Sequence, residues 1–293
     1  MEKLRTENLK PGMILGRSIF LADGRILVRR KTELTAASIS KLREMRLPAV
    51  YVETVNDEQI EDLVSDAVRS DLIQSLYKLD LTGNNGKSIN IVPCKQIMFQ
   101  LVDEVVRNPK APICFTEIRF LNDYLYSHMV NVCILAVKMG LQMAYNQLKL
   151  AELAIGALFH DVGMAKIPPE IVNRVGGLTS EEMRLVQNHS KDGYDLLRQI
   201  SGFSAVSANI AYQHHERYNG TGYPRGLAGN EIHEFAKIVA VADVFDAMTT
   251  EKLYSNAKSI PETVKFLKSL KGIEFDPEIV DLLAVTVSSP VMV

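Results

Sequence analysis

The chain has 293 residues, enough for one large domain or two smaller ones, each with a sizeable core. Hydrophobic content is 47% and charged content 23%, the balance of a soluble globular protein. A net charge of −2 excludes a basic, general nucleic-acid or membrane-surface binder, though not a local basic pocket for a small anion.

No apolar run approaches the ~18 residues of a spanning helix, and the opening MEKLRTENLKPGM lacks a signal-peptide apolar stretch. Cys94, Cys114 and Cys133 are scattered and odd in number, which fits a reducing cytoplasm and core roles.

The first ~55 residues read as a small α/β module. GMILGRSIF and RILVRR are strand-like, separated by the Asp-Gly turn ADGR. Thr35 is placed to cap a helix carrying Ile39, Leu42 and Met45, and LPAVYVETV reads as a further strand. Nothing here carries chemistry, so a docking, dimerising or regulatory role is expected. Residues 57 to 80 show helical spacing, fitting either an intradomain linker or a homodimer contact. LTGNNGKSIN then breaks the pattern, which sets the expected domains at 1–80 and 95–293.

From Lys95 the chain reads as an all-α domain, so the protein is mostly α overall. Helices are predicted over 95–107, 119–139, 147–160, 180–199, 203–215, 235–250 and 261–270, with one more in GIEFDPEIVDLLAV.

Five of the six histidines, 128, 160, 189, 214 and 215, fall in or beside these apolar segments. A lone histidine on an apolar face is more often a hydrogen-bonded core residue than a ligand. Two aspartates alter that balance. Asp161 and Asp243 sit among apolar residues, and Asp243 has no Lys or Arg at i±3 or i±4. A desolvated carboxylate costs several kcal/mol unless it is paired. A metal ion would satisfy acids and histidines together. A nitrogen and oxygen donor set without thiolate suits iron, manganese or zinc. Six or seven ligands exceed the needs of one ion, and Asp161, beside His160 at a helix end, is the natural bridge between two. His233, in GNEIHEF, stands outside the pattern and is expected at the surface.

In order, SHMVNV, HDVGMAKIPPEIV, GGLTSEEM, NHSKDGYDLL, HHERYNGTGYP, IVAVADVFDAMT and GIEFDP resemble the HD-GYP family of HD-domain phosphohydrolases over residues 95 to 293. The N-terminal PGM…DGR…VYV pattern resembles a module that often precedes such domains. The resemblance implies a cytoplasmic cyclic di-GMP phosphodiesterase that forms linear pGpG at a dinuclear iron or manganese centre, of divalent or mixed valence. One ion would take His128, His160, Asp161 and Asp243. The other would share Asp161 with His189, His214 and His215, and a bridging hydroxide would attack phosphorus. The implied partners are the cyclic nucleotide and signalling proteins meeting the GYP loop or the N-terminal module. Nucleic-acid polymer and membrane are excluded.

Three departures bear on activity. Met164 stands where the family has a lysine. Lys166, two residues on, is the candidate to compensate and joins Asp161 as a catalytic candidate. Tyr124 replaces the glutamate of three-metal members, so two metals are expected. Lys252-Leu253-Tyr254-Ser255 replaces R-P-Y-R and loses one arginine outright. Lys252, Arg217 and Tyr223 are the candidate substrate contacts. Glu216 and Arg217 are expected to brace their loop together or to be solvated, and Gly220 and Gly222 to supply its turn angles. A metal-loaded, weakly active signalling module and a phosphohydrolase of another nucleotide are the alternative readings.

Overall fold

The computed structural model describes residues 1–45, 47, 49–54, 61–79, 89–115, 124–172, 174, 176–250 and 257–288. Lys252 and Ser255, singled out above, lie outside the described residues.

Two short antiparallel ladders build the N-terminal part. β1 (Glu2–Arg5) pairs with β4 (Ala49–Val52), and β2 (Ile19–Phe20) pairs with β3 (Ile26–Val28). The turn between β2 and β3 is the foreseen Asp-Gly, with Gly24 at φ +82°. α1 (Ala36–Glu44) starts where Thr35 caps it, the Thr35 side chain accepting from Ser38 N at 3.1 Å. Leu15, Leu34, Leu42, Val50 and Val52 form a small core beneath these elements. The opening residues were not foreseen as a strand; β1 is polar at three of its four positions and is recognised only through its partner.

α2 (Asp66–Lys78) begins later than its apolar spacing suggests, because Ser65 caps it and accepts from Val68 N. Its buried Val68, Leu72, Ile73 and Leu76 join the large helical core rather than the N-terminal one. That core is built by α3 (Val92–Arg107), α4 (Tyr124–Gln142), α5 (Gln147–Leu158), α8 (His189–Gln199), α9 (Ala205–Gln213), α10 (Glu234–Thr249), α11 (Ile260–Ser269) and α12 (Pro277–Ser288), while a short α6 (Pro169–Val172) and α7 (Ser180–Gln187) bury no residue and lie outside it. α4 packs on α5 and α10, and α9 packs on α5 and α8. The single helix expected over 180–199 is two helices, broken at Asn188. The three cysteines are buried and free. Among the described residues no helix is long and apolar enough to cross a membrane.

Candidate metal centre

Seven side chains converge from five helices. α4 presents His128 in its second turn. α5 ends at Leu158, and the chain turns so that the consecutive His160 and Asp161 both face the cluster. His189 is the first residue of α8. His214 caps the C-terminus of α9 and His215 follows it. Asp243 lies within α10. Adjacent residues share one site at both helix ends because the backbone there leaves the helical step of ~100°.

Glycine makes the close approach between these segments. A 3-10 turn, Val162–Lys166, packs directly on the start of α8. A Cβ on Gly163 would fall 2.0 Å from the His189 carbonyl oxygen and 2.7 Å from Gly193 N. Only a residue without a side chain lets Asp161 and His189 meet.

Donor atoms form two groups, His128, His160 and Asp243 on one side and Asp161, His189, His214 and His215 on the other, each with its ligating atoms within 4.8 Å of one another. Asp161 lies between them. Its Oδ1 is 3.3 Å from His189 Nε2 and 3.5 Å from His214 Nε2, and its Oδ2 is 3.7 Å from His160 Nε2 and 3.9 Å from His128 Nε2. His128 Nε2 is also 3.1 Å from Asp243 Oδ1.

The outer nitrogens reveal what the inner ones carry. His160 Nδ1 lies 2.8 Å from Ala157 O, His189 Nδ1 2.5 Å from Val186 O, and His214 Nδ1 3.0 Å from Ala211 O. A carbonyl only accepts, so each Nδ1 bears a proton, and a ring that is otherwise unprotonated offers its Nε2 lone pair to the cluster. The Nε2 atoms of His189 and His214 then face each other at 3.3 Å. His160 Nε2 is buried and makes no hydrogen bond among the described residues. Lone pairs converging on carboxylates repel unless a cation lies among them. The residues fit metal ions of the nitrogen- and oxygen-binding kind.

Charge states follow the same geometry. Burial opposes a charged His128, but hydrogen bonds and charge from Asp243 and Asp246 outweigh it and raise its pKa to about 10. Burial, reinforced by the neighbouring His214 and His128, pushes His160 down to about 4. His215 is held well below its usual value by burial and by His214. Burial works against ionised Asp161 and Asp243, yet the surrounding histidines hold both below the usual carboxylate range.

The HHERYNGTGYP loop closes over one side. Tyr223 stacks on His215, ring centroids 4.8 Å apart and 27° between planes. Gly220 has φ +79°, as expected of a turn glycine. Gly222 has another role: its Cβ would lie 2.3 Å from Arg217 N and 2.5 Å from His215 O. Glu216 and Arg217 do not brace each other. The Glu216 carboxylate is buried and accepts from Arg225 N at 2.8 Å and Leu227 N at 2.9 Å. Arg217 Nε instead pairs with Glu274 at 3.2 Å, its guanidinium over the Phe275 ring.

Lys166 Nζ lies 3.7 Å from Asp192 with 40% of the side chain exposed. Met164 is half-buried in the same 3-10 turn. His233 stays outside the cluster as foreseen, but it is half-buried rather than superficial: its Nδ1 caps α10 by accepting from Phe235 N at 3.1 Å. Two side chains behind His128 escaped the sequence reading. Asp246 is fully buried and contacts both His128 and Asn131. The available signal was a second aspartate three residues after Asp243 in an apolar helix.

A helical bundle with a histidine and aspartate cluster at its helix ends is the architecture of an HD domain. Residues 114–279 match the HD domain family, and the chain belongs to it, in its HD-GYP branch. It is 31% identical over 194 residues to the cyclic di-GMP phosphodiesterase PA4108 of Pseudomonas aeruginosa, covering 66% of this chain and 47% of that protein. It is 40% identical over 151 residues to the cyclic di-GMP phosphodiesterase response regulator RpfG of Xanthomonas campestris, covering 51% of this chain and 39% of that protein. The chain thus spans less than half the length of either relative. Among solved structures it shares its fold with Bd1817, an HDG"Y"P protein from Bdellovibrio bacteriovorus, at a TM-score of 0.64 and 19% identity over 98% of this chain and 99% of that one.

Proposed function

We propose that the chain hydrolyses cyclic di-GMP to linear pGpG at a dinuclear centre of iron or manganese. One position would be formed by His128, His160, Asp161 and Asp243, and the other by Asp161, His189, His214 and His215. The observation that carries this reading is the inward convergence of Nε2 atoms on Asp161, with His160 Nε2 buried and without a hydrogen bond among the described residues. When bound, the ions supply Lewis-acid stabilisation of phosphoryl oxygens and an acidified water.

The protein's own contribution is position. Backbone carbonyls fix three imidazoles in the tautomer that can ligate, and Asp161 offers one oxygen to each side. Tyr223 forms a wall against His215, so a nucleotide reaches the centre past the loop that Glu216 clamps. Substrate contact is assigned to Tyr223 and Lys252. Arg217 and Lys166 are each engaged with an acid, Glu274 and Asp192, and would have to exchange partners to meet a phosphate.

A second reading, a metal-loaded but weakly active signalling module, draws on the same ion pair. Methionine cannot donate a charge-assisted hydrogen bond, and Lys166, two residues on, is paired with Asp192 at the surface. Turnover of cyclic di-GMP by iron- or manganese-loaded full chain, prepared under reducing conditions and followed by chromatography, decides between them. Product pGpG is expected. Tight binding without product favours the module, and turnover of another cyclic nucleotide alone moves the substrate. Met164→Lys is expected to raise the rate. An unchanged rate removes Met164 as the limiting feature.

A further inference from the structure

One histidine of the cluster is anchored unlike its neighbours. His160, His189 and His214 rest their outer nitrogens on backbone carbonyls, which are neutral. His128 rests Nδ1 on a carboxylate, Asp246 Oδ2, at 2.7 Å. Asp246 is itself pinned: its Oδ1 accepts from Asn131 Nδ2 at 2.9 Å and lies 3.4 Å from Thr250 Oγ1. Asn131 is one turn along α4 from His128, and Asp246 one turn along α10 from Asp243. Two helices are therefore cross-braced behind one imidazole. A buried carboxylate is a costly brace, where a carbonyl sufficed for the other three rings.

Charge follows the same division. Behind and beside His128 stand Asp243 and Asp246, in addition to the shared Asp161. His189, His214 and His215 have the shared Asp161 as the carboxylate of their group. Carboxylate oxygen and negative charge favour a hard cation such as Mn²⁺, while an imidazole-rich position suits softer ions.

We propose that Asp246 is a positioning residue for metal: it holds His128 with Nε2 aimed between Asp161 and Asp243, and it makes this side the tighter of the two for a hard divalent cation. The proposal rests on the metal reading given above, but not on turnover. A carboxylate behind a ligating histidine fixes the ring, raises its basicity, and typically accounts for 10–100-fold in metal affinity.

The test is a titration of the metal-stripped full chain with Mn²⁺, followed by calorimetry and by the electron paramagnetic resonance of free and coupled Mn²⁺. The intact chain is expected to show two binding events. Asp246→Asn should weaken the tighter one by about 10–100-fold and leave the weaker one in place. His128→Ala should remove the same event, and the double variant should lose no more than His128→Ala alone. A purely structural Asp246 would weaken both events together and lower the melting temperature of the stripped chain. Equal weakening of both events, no weakening, or additive losses in the double variant overturn the proposal. Should Asp246→Asn fail to fold, Asn131→Ala decides: it must weaken the same event, by less. An intact chain that binds fewer than two ions overturns the dinuclear reading and this proposal together. One that binds both and fails to cleave cyclic dinucleotides breaks only the assigned activity.

Discussion

The N-terminal module and the helical bundle bury different kinds of atoms. Within residues 1–54 the buried set is almost wholly aliphatic, and Thr6 is the one buried polar residue among those described. The bundle buries His128, His160, His189, His214, Asn131, Glu216 and Asp246. Each such group forfeits water, at a cost of several kcal/mol for a charge. A fold does not need them, since the aliphatic core of the bundle is already large. Their concentration in and around the one histidine and aspartate cluster marks where selection for chemistry overrode selection for stability. The small module shows what the chain looks like without that demand.

This contrast is easiest to break at Gly163. Gly163→Ala places a Cβ 2.0 Å from the His189 carbonyl, against backbone that cannot yield. We expect a loss of about 3 kcal/mol or more, read as a lower melting temperature, together with loss of bound metal. A variant that keeps both would show that the 3-10 turn is not what seats Asp161 against α8. Gly222→Ala ranks next. Its clash with the backbone of residues 215–217 should lift the loop, costing about 1–3 kcal/mol. Metal content should persist while cyclic di-GMP turnover falls.

The pH dependence of the metal-free chain sharpens the same contrast. His128 is raised from 6.5 to about 10, so its contribution is complete below pH 6.5 and fades as the pH rises toward 10. His160 is depressed from 6.5 to about 4, so its contribution is complete above pH 6.5 and fades as the pH falls toward 4. The melting temperature of the stripped chain should therefore peak near pH 6.5. Metal should flatten the alkaline side, because an ion takes the place of the His128 proton. Circular dichroism melts from pH 4 to 10, with and without chelator, measure this; a stripped chain that gains stability between pH 6.5 and 10 contradicts it. The smallest effect belongs to the module. Thr35→Ala removes a helix cap and should cost about 1 kcal/mol, with metal content and turnover unchanged.

Sequence patterning reveals the bundle and the seven clustered side chains, because their signals are local. Apolar spacing marks each helix, and His-Asp or His-His at a helix end marks a place where two neighbours can face one site. The features it misses depend on what lies across the fold. β1 needs β4 beside it, and α2 joins the bundle core only once α3 and α4 are in place. Asn188 breaks a helix although its neighbours keep helical spacing. Glu216 and Arg217 adjoin in sequence but take partners 9 to 57 residues away, Arg225, Leu227 and Glu274. Gly222 reads as a flexible turn residue, and its true requirement, close backbone approach, is set by residues 215–217 folding beneath it. Asp246 looks like one more acid on α10 until His128 is placed against it, 118 residues earlier in the chain.

α5 and α9 both finish at the cluster, and each carries its ligands in the residues just past its last turn. Peptide dipoles in a helix add up to roughly half a negative charge at the carboxyl end. Two such ends aimed at one spot create an electrostatic well for cations before any side chain is counted. The backbone itself thus draws positive charge toward the space between Asp161 and the histidines, and the side chains refine a preference that the course of the helices has already set.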